Sequence, residues 1–297
     1  MGDLGRKHVA SLEQIKLLIQ SGAPHFAGAQ LAVKVMSLIN EGASAANIES
    51  EVSKLPTLAS SLVRLASSPA FGSKEISDVR FAIELLGYKE LYRIMMTLAM
   101  SSLSNDVSRR GMLDEEAFRK RAITTGFICE DIARKLYEQN VEEFYLAGLF
   151  QDIGYLFLAI HNPVSLMQVK VALERTPGIP LTRIEDLCLG FCHAQLSAAV
   201  AEQFELPERV VQGIRYHHEP DNCPEEARRC ADIARIASWV VESACLAPVP
   251  GIRYSFSIES SLERTGLETG SVLEFADRAI EKGIEVTSIM MGEVEAA

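Results

Sequence analysis

Apolar side chains recur along this chain at intervals of three and four, the period of an amphipathic helix. Val9, Leu12, Ile15 and Ile19 open the series, with Ser11 and Gln14 at capping-box spacing and Gly22 as a stop. Leu31, Val35, Leu38 and Ile39 predict a second helix that ends at Asn40-Glu41-Gly42. Shorter helices are expected over 44–54 and 56–67. The second is opened by Pro56 at a first-turn position, where its missing N–H costs nothing. Ser77 is placed to cap a segment that runs through Leu85-Leu86 to Gly87, and Leu91, Ile94, Met95 and Leu98 form the next stripe.

Residues 104–113 (SNDVSRRGML) are polar and interrupt the pattern, which predicts a lobe boundary. A long helix is expected over 114–139 and an apolar one over 142–159. Phe144, Leu146, Leu149, Phe150, Ile153, Leu156 and Phe157 cover most sides of the latter, so it belongs at the centre of the core. Thr182 and Glu185 have capping-box spacing, Leu206-Pro207-Glu208 has the form of a helix start, and 224–245 predicts a long helix carrying Trp239. Pro248, Pro250 and Gly251 mark a loop in which 253–257 is the one place for extended chain. Two helices then close the chain, the second over 271–283 with Ser271 and Glu274 as its capping pair. The fold class is all-α: an N-terminal helical lobe over 1–105, a helical core over 106–250 and a C-terminal helical extension over 251–297.

Composition narrows the function classes. With 297 residues, 48% hydrophobic and 23% charged, the chain is that of a globular protein with a sizeable core. The net charge of -11 repels phosphate backbones, and the one basic cluster, Arg109-Arg110 with Arg119-Lys120-Arg121, has the form of a solvated helix face, so no nucleic-acid partner is expected. The six cysteines form no CxxC pair, and Cys188 and Cys192 stand one helical turn apart. The expectation for them is small buried residues in a reducing compartment. No signal-type apolar core opens the chain and no run reaches the ~18 apolar residues of a span, which places the protein in the cytoplasm with no membrane contact.

Chemistry concentrates between residues 121 and 232. Asp152 lies in the apolar run Leu149-Phe150-Gln151-Asp152-Ile153-Gly154, where an unpaired carboxylate is costly. His193 opens a helix, His217 and His218 end one, and Asp232 comes early in the next; all lie on helices able to converge on Asp152. Imidazole and carboxylate together suit Zn²⁺, Mn²⁺ or Fe, which activate water for phosphate-ester hydrolysis. The alternative is a buried hydrogen-bonded network in which Asp152 accepts from His193 and an imidazole complements a helix end. Spacing does not separate the two.

Several motifs in order resemble the HDOD (HD-related output domain) family, a branch of the HD metal-dependent phosphohydrolase superfamily used in bacterial signalling. They cover about residues 28–245. Residues 47–72 (NIESEVSKLPTLASSLVRLASSPAFG) are similar to the family's early stretch, and Ala82-Ile83-Glu84-Leu85-Leu86-Gly87 to its "A-I-x-x-LG" element. Ala147-Gly148-Leu149-Phe150-Gln151-Asp152-Ile153-Gly154 resembles "A-GLLHDIG", and His193, Leu206-Pro207-Glu208 and His217-His218-Glu219-Pro220 resemble "H-x-x-x-G … W-x-LP … HH-x-P". The resemblance implies an HD-domain-like helical bundle.

It also implies a damaged site. The superfamily's ligand set runs His, His-Asp, Asp; its first His falls at Arg121 and its second at Gln151, leaving Asp152 and Asp232. Arginine is a permanent cation and glutamine a poor substitute for imidazole. The degenerate positions are thus Arg121, Gln151, Asp152, His193, His217, His218 and Asp232, with Arg121 expected to pair with Asp152 or Asp232 in the place of a metal. No "GYP" extension follows His218. No cofactor is expected; a retained Fe, Mn or Zn ion would take Asp152, His193, His218 and Asp232. The function implied is a non-catalytic regulatory module acting on a sensor kinase, response regulator or diguanylate cyclase. The alternatives are a divergent metal-dependent phosphohydrolase and a sensor of small anions held by Arg121.

Overall fold

The computed structural model describes residues 27–69, 76–104, 113–176, 178–244, 246 and 256–291, with residues 13, 15–17 and 19 of a helical stretch ahead of them. Among these there are fifteen α-helices, one 3-10 turn and no strand. The N-terminal group is α1 (Ala27–Asn40), α2 (Ala45–Val52), α3 (Pro56–Ala66), α4 (Val79–Leu86) and α5 (Tyr88–Ser104). The central group is α6 (Glu115–Lys135), α7 (Val141–Phe150), α8 (Gly154–His161), α9 (Pro163–Arg175), α10 (Leu181–Leu189), α11 (His193–Gln203), α12 (Glu208–Tyr216) and α13 (Glu225–Ser243). The 3-10 turn Pro220–Asn222 separates α12 from α13, and α14 (Glu259–Thr265) and α15 (Thr269–Met291) end the fold.

Local chemistry fixes many of these boundaries. Asp114 accepts from the Ala117 amide at 3.0 Å to cap α6. Glu115 and Glu116 in its first turn and Arg134 and Lys135 in its last complement its dipole. Asp78 caps α4 by accepting from the Phe81 amide at 2.8 Å, so the expected cap, Ser77, only donates to Asp78. The Thr182–Glu185 capping box does not form: α10 begins at Leu181 behind Pro180, and Glu185 turns inward. The last helix starts at Thr269 and runs on to Met291, longer than the expected 271–283. Residues 256 and 257 are irregular, and the rest of 253–257 lies outside the described residues, as does the Ser11–Gln14 pair. Cys129, Cys223 and Cys230 are buried as expected, whereas Cys188 is exposed and Cys192 caps a different helix. Arg119 and Arg121 are buried, so they form no surface patch, and Arg109 and Arg110 lie outside the described residues.

One hydrophobic cluster runs from Ile15 and Leu31 in the N-terminal group to Ile289 in α15, so both groups and the extension share a core. α6 is its hub, packed against α7, α15 and α13. Gly283 permits this, because a Cβ there would strike the Thr124 side chain. The segment Val141–His161 is apolar and long enough by composition to cross a membrane, but its most apolar stretch is almost wholly buried inside the protein, where it forms the core.

The expected helix over 142–159 is in fact two. α7 stops at Phe150, and Gln151-Asp152-Ile153 forms a tight turn before α8. Its amides take i→i−3 partners, Ile153 to the Phe150 carbonyl and Tyr155 to that of Asp152, while the Gly154 amide donates to Ser197 Oγ at 2.9 Å. A Cβ on Gly154 would lie 2.6 Å from the His193 carbonyl oxygen. Glycine therefore lets the start of α11 press against the turn, which sets Asp152 beside His193.

Candidate metal and anion centre

The turn, the first residue of α11 and the end of α12 converge in the core. Asp152 is almost wholly buried, and its Oδ2 accepts from Arg121 Nε at 3.0 Å. Arg121, on α6, is 1% exposed. Its Nη2 donates to Ser238 Oγ on α13 at 3.3 Å, its Nη1 donates to the Leu246 carbonyl, and Glu242 Oε2 lies 3.7 Å from Nη1. Burial raises the pKa of Asp152, but the Arg121 charge and the contact with His193 outweigh it and hold the carboxyl well below its usual range.

His193 is fully buried and stacked on Tyr155, with ring centroids 4.5 Å apart. Its Nδ1 faces Glu185 Oε2 at 2.7 Å, and its backbone amide donates to the same oxygen at 3.1 Å. Tyr155 Oη donates to Glu185 Oε1 at 2.6 Å. The opposite nitrogen, Nε2, faces Asp152 Oδ1 at 3.5 Å and His218 Nε2 at 3.0 Å. Burial lowers the pKa of His193, but Glu185 and Asp152 overcome it and raise it to about 9. The ring lies between two carboxylates, which favour its protonated form.

His217 caps α12, and its Nδ1 donates to the Ile214 carbonyl at 2.7 Å. That bond leaves Nε2 as the lone-pair nitrogen. It is buried and has no hydrogen-bond partner. Burial brings the pKa of His217 down to about 4 and pushes that of His218 well below its ordinary value, with neighbouring imidazoles adding to both. His218 lies at the inner end of a cleft of about 480 Å³ walled by Thr182, Arg183, Gln195, Arg215 and Tyr216.

The ligand nitrogens of His193, His217 and His218 lie within 4.8 Å of one another. Two of the three rings spend Nδ1 on an outer acceptor and aim Nε2 inward, as imidazole ligands do. The donor set and the unpartnered His217 Nε2 fit one transition-metal ion, with Asp152 Oδ1 beside it. They do not fit two, because the other oxygen of Asp152 is taken by a guanidinium.

The expected constellation is therefore redrawn. Arg121 pairs with Asp152. Asp232 is buried on α13 but turns to α14, accepting from Ser261 Oγ at 2.7 Å and from Arg264 Nε and Nη2 at 2.9 and 2.6 Å. Its place in the expected ligand set passes to His217, because Arg264 already neutralises it. Gln151 is buried with both amide atoms unbonded and joins no part of the network. Glu185, Tyr155, Ser238 and Glu242 were not expected. For Glu185 a signal existed: it falls on the buried stripe of α10 with Leu181, Ile184 and Leu189.

The sequence matches the HDOD domain family over residues 27–220. A curated relative from Treponema pallidum (strain Nichols), an uncharacterized protein, is 24% identical over 206 residues, which are 68% of this chain and 39% of that protein. The chain thus spans well under half the length of that relative. An HDOD domain protein of unknown function from Geobacter sulfurreducens is similar in structure, with a TM-score of 0.68 at 19% identity, covering 88% of this chain and 91% of that one. A candidate phosphohydrolase from Shewanella amazonensis SB2B has a TM-score of 0.70 at 19% identity over 92% and 97% of the two chains. A candidate signal transduction protein from Marinobacter aquaeolei VT8 has a TM-score of 0.72 at 21% identity over 96% and 66%. At these identities the structures establish the shared fold, and the match over residues 27–220 establishes the family: the chain belongs to the HDOD domain family, with an all-helical fold.

Proposed function

We propose that this protein is a regulatory module of bacterial signal transduction that works through protein contacts and not by hydrolysis. The observation that carries the reading is Arg121, a buried permanent cation bonded to the carboxylate that a pair of catalytic ions would have to share. Two-ion hydrolysis would need that carboxylate to bridge the two ions, which in turn would stabilise the attacking and leaving oxygens. By family resemblance the partner is a sensor kinase, a response regulator or a diguanylate cyclase. The test is turnover of bis(p-nitrophenyl) phosphate with added Mn²⁺, comparing the protein with its Asp152→Ala variant. Equal, background rates support the reading; turnover that the variant abolishes overturns it and favours a divergent phosphohydrolase.

A second reading rests on the unpartnered His217 Nε2. His193, His217 and His218 would hold one Zn²⁺, Fe or Mn²⁺ ion. Such an ion supplies a Lewis acid that lowers the pKa of a bound water. In a non-hydrolytic module it would tie the start of α11 to the end of α12. Metal analysis of protein purified without chelator decides: about one ion per chain supports this reading, and none removes it while leaving the first intact.

A further inference from the structure

Glu185 is fully buried, yet it lies outside the space that the three imidazoles share. A carboxylate taken out of water is costly unless its oxygens are satisfied. Here the donors that satisfy it are the Nδ1–H of His193 at 2.7 and 2.9 Å, the backbone amide of His193 at 3.1 Å and the hydroxyl of Tyr155 at 2.6 Å. Two of these three groups belong to His193, and the third is the ring on which His193 stacks. The pairing joins three elements: Glu185 comes from α10, His193 from the start of α11 and Tyr155 from α8.

We propose that Glu185 is the positioning residue of the centre. It draws Nδ1 of His193 to itself and so presents Nε2 to His217, His218 and Asp152. Without it, Nδ1–H keeps only the Tyr155 hydroxyl at 3.1 Å in place of an anionic acceptor, and the neutral ring is freer to carry its proton on Nε2, where it cannot ligate. Tyr155 keeps the Glu185 carboxylate from swinging away and holds the plane of the ring. The proposal rests on the one-ion reading for its consequence, but the orientation of His193 is a property of the ion-free protein too.

The test uses the full chain and four variants: Glu185→Gln, Glu185→Ala, Tyr155→Phe and, as a control on the same helix, Leu189→Ala. Co²⁺ is titrated into each and followed by its visible absorption. Loss of an outer partner of a ligating histidine weakens binding about 10–100-fold. Glu185→Ala is expected at the upper end of that range. Glu185→Gln and Tyr155→Phe are expected near the lower end, and Leu189→Ala at wild-type affinity. Glu185→Gln keeps the side-chain volume, so the comparison survives if Glu185→Ala does not fold. Wild-type affinity in folded Glu185→Gln and Tyr155→Phe overturns the proposal. If the wild type takes up no Co²⁺, the one-ion reading fails, and Glu185 is judged by nitrogen-15 NMR of the ion-free protein. A downfield, slowly exchanging His193 Nδ1 proton that disappears in the Glu185 variants and persists in Leu189→Ala supports it. A proton on Nε2 alone, or a signal indifferent to Glu185, overturns it.

Discussion

Replacing Arg121 with methionine keeps an unbranched apolar stem but removes the guanidinium and its charge. Asp152 is then left with its side chain 5% exposed and without the cation that holds its pKa down. Breaking a buried ion pair from one side costs about 3–5 kcal/mol. His193, 3.5 Å from the other oxygen, keeps a share of the compensation, which places the loss near the lower figure. The unmade bonds to Ser238 and the Leu246 carbonyl add to it. Urea unfolding followed by circular dichroism measures the change, and a loss of that size moves the midpoint by about 1 M or more. Asp152→Asn and the double variant complete the cycle. Because the double variant removes both charges, its loss should fall short of the sum of the single losses by at least about 1.5 kcal/mol. A loss under about 1 kcal/mol for Arg121→Met, the worth of a surface pair, would refute the view that this cation neutralises the centre.

The ion-free protein should be most stable near neutral pH. The His193 pKa is raised to about 9, so its contribution is complete below its ordinary 6.5 and lost as pH rises through 9; that of His217 is lowered to about 4, so its contribution is complete above 6.5 and lost as pH falls through 4. Thermal midpoints level from pH 4 to 9 would contradict this. Arg264→Ala leaves buried Asp232 with Ser261 alone and should cost about 1–3 kcal/mol, with faster hydrogen exchange confined to α14 and its contact on α13; lysine should not restore it, for it lacks the two-pronged donor. Gly154→Ala drives a Cβ into the His193 carbonyl and should cost roughly 1–3 kcal/mol, while also weakening Co²⁺ uptake by shifting α11; a fully stable variant with unchanged uptake would show that the turn does not set the position of His193.

The helical fold was legible because the three-and-four spacing is repeated and the core is continuous, so each stripe found a face to bury. Boundaries failed where a tertiary contact replaced a local one. The apolar period runs unbroken through 142–159, and nothing local reports that Ser197 takes the Gly154 amide and opens the helix at Asp152. The centre was legible in its histidines, Arg121 and Asp152, whose surroundings made them conspicuous. Asp232 misled because the family's order of ligands pointed to it, while its partner Arg264 lies in an extension beyond residues 27–220. Glu185 was mistaken for a cap because Thr182 stands three residues before it. Its burial with Leu181, Ile184 and Leu189 carried the better information.

Charge balance explains how an arginine changes such a centre without emptying it. In the ion-free protein Arg121 faces Asp152, with Glu242 beside it, and His193 stands between Asp152 and Glu185. His193 Nε2 would have to be free of its proton to ligate a divalent ion, so proton and ion would compete for that nitrogen. That exchange would add one net positive charge, since a proton would leave and two charges would enter, and Glu242, 3.7 Å from Arg121, is a carboxylate already placed to offset it. A second ion would add two more charges to a space whose bridging oxygen is already bonded to a guanidinium. On the proposed reading, the guanidinium of Arg121 would exclude chemistry that needs two ions while leaving His193, His217 and His218 able to hold one.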